Sequence, residues 1–119
     1  MQSETKSRVD SRKNQTGEPV SVLRFDGDIA STSREAVLGL YQSLAKDETR
    51  RILLDFTKVE YINSSGIAIV IQLLIEAAGA RQKVAACGLS AHFTKVFTMV
   101  GITRYAALYP TEAAALVAL

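Results

Sequence analysis

The sequence predicts an α/β domain: a central sheet of four to five strands flanked by helices. Three observations predict it. Val20, Val22 and Phe25 alternate with Ser21 and Arg24 at the two-residue period of a half-buried strand. Ile52, Leu53 and Leu54 run together before Asp55, as in a strand covered on both faces. Between and after these lie apolar sets at three- and four-residue steps, Val37, Leu40, Tyr41 and Leu44, then Phe93, Val96, Phe97 and Val100. Strands that alternate with helices are the pattern of an α/β sheet.

The elements follow in order. Residues 1–18 hold almost no apolar side chain and are expected to be mobile for most of their length, with a weak edge strand around 6–12. The domain proper is expected over 19–119. Residues 19–27 read as a strand ended by Gly27. Thr32 and Glu35 have capping-box spacing, which starts a helix carrying the Val37 to Leu44 stripe, with Lys46 at its negative end. Arg51 to Phe56 is the next strand and should be central. After a loop, Ser64 to Ala80 is apolar almost throughout; periodicity leaves strand or helix open, and its length favours helix. Val84 to Leu89 reads as a strand, and Ser90 caps a helix that Gly101 terminates. Tyr105 to Tyr109 is a last strand, and Pro110, Thr111 and Glu112 open an Ala- and Leu-rich final helix.

Bulk properties narrow the function. A chain of 119 residues suits one domain. Its 14 basic and 12 acidic residues are intermixed, so the steady positive field that nucleic acid requires is missing. The local excess of Lys6, Arg8, Arg12 and Lys13 reads as a solvated tail. Cys87 stands alone beside the single His92, so no internal disulfide and no Cys/His metal set can form. No apolar leader is present, and the run from Gly66 to Leu74 is too short for a bilayer. A cytoplasmic protein without nucleic-acid or membrane partners is expected.

Catalytic readings fail on composition, and neither enzyme activity nor a cofactor is expected. His92 lies in the first turn of a helix without a nucleophile partner, and no glycine-rich phosphate loop exists. Asp26 and Asp28 form a conceivable carboxylate pair but read better as turn-forming residues. What remains is Asn63, Ser64, Ser65 and Gly66 after a strand and loop, small hydroxyl residues at a helix amino end. Free backbone N–H groups and the positive dipole end there stabilise an anion by about 0.3 to 1 kcal/mol, nearer 2 when partly buried. Spacing alone leaves two readings open: these residues merely cap the helix, or Ser64 accepts a phosphate.

The strand Ile52-Leu53-Leu54-Asp55 and the segment Val59-Glu60-Tyr61-Ile62-Asn63-Ser64-Ser65-Gly66-Ile67 resemble the core of the STAS domain family, of the anti-sigma factor antagonist type. The resemblance runs from about Val20 to Leu119 and includes Gly27, Cys87-Gly88-Leu89-Ser90, Phe97 and Gly101. It implies a mixed sheet flanked by helices. It also implies a partner-switching cycle: the unmodified protein binds a serine kinase that is also an anti-sigma factor, phosphorylation of Ser64 releases it, and a PP2C-like serine phosphatase restores binding. Asn63, Ser64, Ser65 and Gly66, with Ile67, Ala68 and Ile71 as apolar contacts, are then the partner-binding residues. Two positions depart from the family pattern: Asn63 stands where many members carry aspartate, and Ala30 where an acidic residue is common. The alternative is a constitutive STAS interaction module, a scaffold or transporter accessory, without a phosphorylation switch.

Overall fold

The computed structural model describes residues 4–119, and its five strands form one sheet in the order β1-β2-β3-β4-β5. They are β1 (Lys6–Lys13), β2 (Pro19–Ile29), β3 (Arg51–Ile62), β4 (Lys83–Cys87) and β5 (Ala106–Tyr109). β1 runs antiparallel to β2, and every other neighbouring pair is parallel, so the sheet is mixed, with β3 at its centre. From β2 onward each strand is added on the same side of the last. With right-handed crossovers that order puts every connecting helix on one face.

One face therefore carries the first helical stretch, α2 (Ser64–Gly79) and α3 (Ala91–Met99). Leu23, Phe25, Ile52, Leu54, Phe56, Val84 and Ala86 point into this larger core, where Phe56 meets Phe25 and Phe97 at ring distances of 5.4 and 5.5 Å. Val20, Val22, Leu53, Ala85 and Cys87 point the other way, against Ala115 and Leu119 from the terminal helix α4 (Glu112–Ala118). Burial on both faces is why Ile52, Leu53 and Leu54 are consecutive apolar residues rather than an alternating set.

Several elements differ from the sequence expectation. The weak edge strand expected around residues 6–12, within a stretch otherwise expected to be mobile, is a full strand: residues 6–13 pair with β2 along their whole length, from Lys6 opposite Asp26 to Lys13 opposite Pro19. Main-chain pairing needs no apolar side chains, and β2 would otherwise expose a row of unpaired N–H and C=O groups. The connecting turn is organised by buried Asn14, whose Oδ1 accepts from the Thr16 and Glu18 amides at 3.1 and 2.8 Å. Residues 1–3 of that expected tail lie outside the described residues. Gly27 does not end β2: its left-handed conformation, φ +92°, sits at register shifts, and the strand continues to Ile29. Asp26 and Asp28 are consequently strand residues, not turn formers.

The Thr32–Glu35 capping box is not formed. A 3-10 turn (Ser31–Ser33) comes first, and Ser33 Oγ accepts from the Ala30 amide at 2.8 Å. A five-residue π segment (Glu35–Gly39) then leads into the single turn α1 (Leu40–Gln42). The wide turn brings Leu38 into the core beside Val37 and Tyr41, while Leu40 is only partly buried. β3 is twice as long as expected, because residues 57–62, read as a loop, stay paired with the extension of β2 (Asp26 with Lys58, Ile29 with Ile62). Their polar character reflects the loss of β4 as a neighbour beyond Asp55 and Cys87. β4 stops at Cys87, since Gly88 is left-handed (φ +80°).

α4 is bound to its face by charge. Arg24 Nη1 donates to Asp55 Oδ2 on β3 at 2.8 Å and to Glu112 Oε1 on α4 at 2.6 Å, and its Nε contacts Asp10 on β1. One guanidinium thus ties two strands and the helix to β2. At the other end of α4, Arg51 Nε and Lys83 Nζ donate to the carbonyls of Leu119 and Ala118 at 3.0 and 2.9 Å, where the helix dipole favours cations. Among the described residues no helix is long and apolar enough to cross a membrane.

Burial raises the Asp55 pKa, but the Thr57 hydroxyl and amide and the Arg24 guanidinium outweigh it and hold the carboxyl below its usual range. Asp10 is also lowered, chiefly by its hydrogen bond from Arg24. A carboxyl with a depressed folded pKa contributes stability that is fully present above the unfolded value of about 3.9 and is lost as pH falls from there through the lower folded pKa. The melting temperature is expected to drop steeply below about pH 4. Asp55→Asn, less stable at neutral pH, should show a shallower acid limb; identical limbs in thermal scans from pH 7 to pH 2.5 would remove Asp55 from this account.

Candidate functional site at the amino end of α2

The site is built where β2, β3 and α2 meet. β3 ends at Ile62, and Asn63, extended at φ −84° and ψ 179°, turns the chain into α2. Its side chain is the cap: Asn63 Oδ1 accepts from the Gly66 amide at 2.9 Å. Its backbone N–H donates to the Ile29 carbonyl at 3.1 Å, which fastens the start of α2 to the end of β2. Gly66 presses against the same carbonyl. A Cβ at this position would lie 2.4 Å from Ile29 O and 2.8 Å from Ile29 C, distances no side chain sustains without moving backbone.

This anchoring leaves Ser64 and Ser65 unburdened. Both are exposed, and among the described residues neither hydroxyl makes a hydrogen bond. Of the two readings left open by spacing, the capping role therefore falls to Asn63 alone. Ser64 is the first residue of a 16-residue helix, so an anion on its side chain would face unpaired amides and the positive end of the dipole.

The other expected contact residues divide. Ala68, one turn on from Ser64, is exposed. Ile67 and Ile71 are half-buried and packed against the main core, so only their outer edges can meet a partner. Further along α2, Ile75 is exposed. The positions of the two departures are also clear: Asn63 supplies the cap through its amide oxygen, and buried Ala30 opens the 3-10 turn that packs beside α2.

Other candidate chemistry lies apart from this site or is inert. His92 is exposed at the start of α3, its ring edge-on to Phe93 at 4.8 Å. Cys87 is buried on the α4 face. Burial first, then the Asp55 carboxylate within 3.7 Å of Sγ, pushes its thiol up to about 12, so it is neutral and unreactive near neutral pH. One residue was missed by sequence reasoning: Tyr61, exposed on β3 three positions before Ser64 and in ring contact with Phe93 at 6.0 Å. Its signal was slight, since the nearby Val59 and Ile62 are apolar as well and pack against the core.

Residues 12–110 match a family model described as "Mlab, STAS domain". Among solved structures, an anti-sigma factor antagonist from Mycobacterium paratuberculosis superposes with a TM-score of 0.78 at 20% identity, covering 95% of this chain and 92% of that one. The Bacillus cell fate determinant SpoIIAA in its phosphorylated form gives 0.62 at 18% identity, covering 92% and 96%. The murine anion transporter Solute Carrier 26 family member A9 gives 0.70 at 11% identity, covering 94% of this chain and 22% of the transporter. No curated protein matches the sequence.

The Gly66 contact makes a paired test. Gly66→Ala is expected to destabilise by about 1 to 3 kcal/mol, the usual cost of overpacking. Gly79, in the last turn of the same helix, has open space around its missing Cβ, and Gly79→Ala should stabilise by about 0.5 to 1 kcal/mol. Chemical denaturation of both variants checks this; a Gly66→Ala protein as stable as the parent would refute the close approach.

Proposed function

The chain belongs to the STAS domain family, matched over residues 12–110, and on that premise we propose that it is an anti-sigma factor antagonist of a bacterial partner-switching pathway. In this reading it acts in the cytoplasm by binding rather than by catalysis. The unmodified protein docks a serine kinase that doubles as an anti-sigma factor and so frees a sigma factor. Phosphorylation of Ser64 releases the kinase, and a PP2C-like serine phosphatase resets the cycle.

The observation that carries this reading is the unused hydroxyl of Ser64. It is exposed at the first position of α2, and Asn63 already performs the capping. A kinase can therefore reach and modify it without removing any contact that holds the fold. The added group carries about −1.5 to −2 charges at neutral pH. The helix amino end tolerates that charge in the free protein. A docked partner would have to bury it, and an uncompensated buried charge costs about 3 to 5 kcal/mol, on the order of a hundredfold or more in affinity. Such a switch needs no change of shape. Asn63, Ser65, Ala68 and the edges of Ile67 and Ile71 make up the rest of the contact surface in this proposal; Gly66, expected from the sequence to be a contact, is buried against Ile29 and supports that surface from beneath.

A second reading is favoured by one specific pair of findings. The matching family model is described by a name other than that of an antagonist, and the fold recurs in one part of an anion transporter. In this alternative the chain is a constitutive module, a scaffold or transporter accessory, and Ser64 is never phosphorylated.

Incubation with the cognate serine kinase and ATP separates the two. The switch predicts a single phosphate that maps to Ser64 and is absent from Ser64→Ala. Ser64→Ala should keep the kinase bound, and Ser64→Asp should weaken binding on the order of a hundredfold while leaving the melting temperature near that of the parent. Equal affinity of Ser64→Asp and the unmodified protein would overturn the electrostatic mechanism.

A further inference from the structure

Resting on the antagonist reading, we infer that Tyr61 is the specificity-determining anchor of the same docking surface, a preformed aromatic knob that a partner bound over Ser64 takes into an apolar pocket. The chain has four phenylalanines and four tyrosines and no tryptophan. Most of these rings are internal: Phe25, Phe56, Phe93 and Phe97 are buried, and Tyr41 is buried with its hydroxyl donating to Gln82 Oε1 at 2.6 Å. Tyr61 is the most exposed, at 51%.

Its placement is what connects it to the site. Tyr61 is the second-last residue of β3, three before Ser64, on the end of the sheet from which α2 and α3 both start. The ring has one packed edge. It stands edge-on, at 73°, against Phe93 in the first turn of α3, and Phe93 in turn carries the exposed ring of His92 on its other contact. Two capped helix starts, Asn63 on α2 and Ser90 on α3, hold the two sides of this arrangement. A ring already held in an edge contact with Phe93 has less conformational freedom to lose on binding, which favours its contribution to an interface.

Aromatic anchors of this kind dominate the energetics of protein interfaces, and truncating one costs roughly thirtyfold or more in affinity. The small exposed residues beside it, Ser64, Ser65 and Ala68, offer flat contact that excludes water without anchoring anything. Phosphate at Ser64 and the knob at Tyr61 then act separately on one complex: the first decides when the partner binds, the second decides which partner.

The test is a binding titration of the purified cognate anti-sigma kinase against the full chain and its Tyr61→Phe, Tyr61→Ala and Tyr105→Ala variants, each checked for an unchanged melting temperature. Tyr105, 44% exposed beyond the carboxyl end of α3, is the control for a tyrosine away from the site. Tyr61→Ala should bind at least about thirtyfold more weakly, with Tyr61→Phe and Tyr105→Ala within about threefold of the parent. Should Tyr61→Ala lower the melting temperature, Tyr61→Arg, which keeps a long stem against Phe93 but cannot enter an apolar pocket, takes its place with the same expected loss. Parent and Tyr61 variants binding alike would overturn the anchor and leave the antagonist reading standing; a parent chain that binds no such kinase overturns both.

Discussion

The Ile29 carbonyl is the point on which the arrangement of the site depends. It accepts the Asn63 amide and lies against the α-carbon of Gly66, so the end of β2, the end of β3 and the start of α2 converge on one oxygen. A helix can approach a strand this closely only without a side chain at the contact. Gly66 is therefore a packing requirement rather than a flexible residue: any Cβ would push α2 off the sheet and take its amino end with it. The extension of β2 beyond Gly27 serves the same geometry, since it carries Ile29 to where the turn after β3 can reach it.

The opposite face is held by different physics. Same-side strand addition places all three crossover helices over one face, and the other would stand open over Val20, Val22, Leu53, Ala85 and Cys87 without α4. A helix of seven residues is too short to be stable by itself. It stays because Ala115 and Leu119 are buried and because cations meet both of its ends, Arg24 and Arg12 at Glu112 and Arg51 and Lys83 at the last carbonyls. Arg24 serves three carboxylates at once, which raises its own pKa and makes each of those carboxylates dependent on it. The charges of β1, which alone look like a solvated tail, belong to this assembly: Asp10 meets Arg24, and Arg12 meets Glu112.

Within the site, the structural work falls to the residues on either side of the hydroxyl pair. Asn63 satisfies the helix end and Gly66 permits the close approach, both through contacts already made. The Ser64 hydroxyl, between them, makes no hydrogen bond among the described residues. A modification there changes what the surface presents while the core beneath keeps its packing, because no buried polar group loses a partner. Asn63 performs its cap with an amide oxygen, which accepts the Gly66 N–H without placing a negative charge beside Ser64.

The sequence by itself determined the α/β class, the helix from Ser64 to the region of Gly79, the Ser90 cap, the opening of the final helix at Pro110 to Glu112 and the position of the hydroxyl pair. Each is written in local signals: a two- or three-to-four-residue period, a capping side chain, a glycine just past a helix. Only the tertiary structure decided what β1 is, how far β2 and β3 run, and which of Asn63, Ser64 and Ser65 does the capping. Those outcomes depend on partners distant in the chain. Lys6 to Lys13 is a strand because β2 needs an edge neighbour, and residues 57–62 are a strand because β2 passes Gly27. Arg24, Asp10, Asp55 and Glu112 lie up to 102 residues apart in sequence yet share one guanidinium. Long-range pairing of main chain and charge leaves no periodic trace in the sequence, whereas burial of apolar side chains does, and that is the physical reason the core was legible and the edges were not.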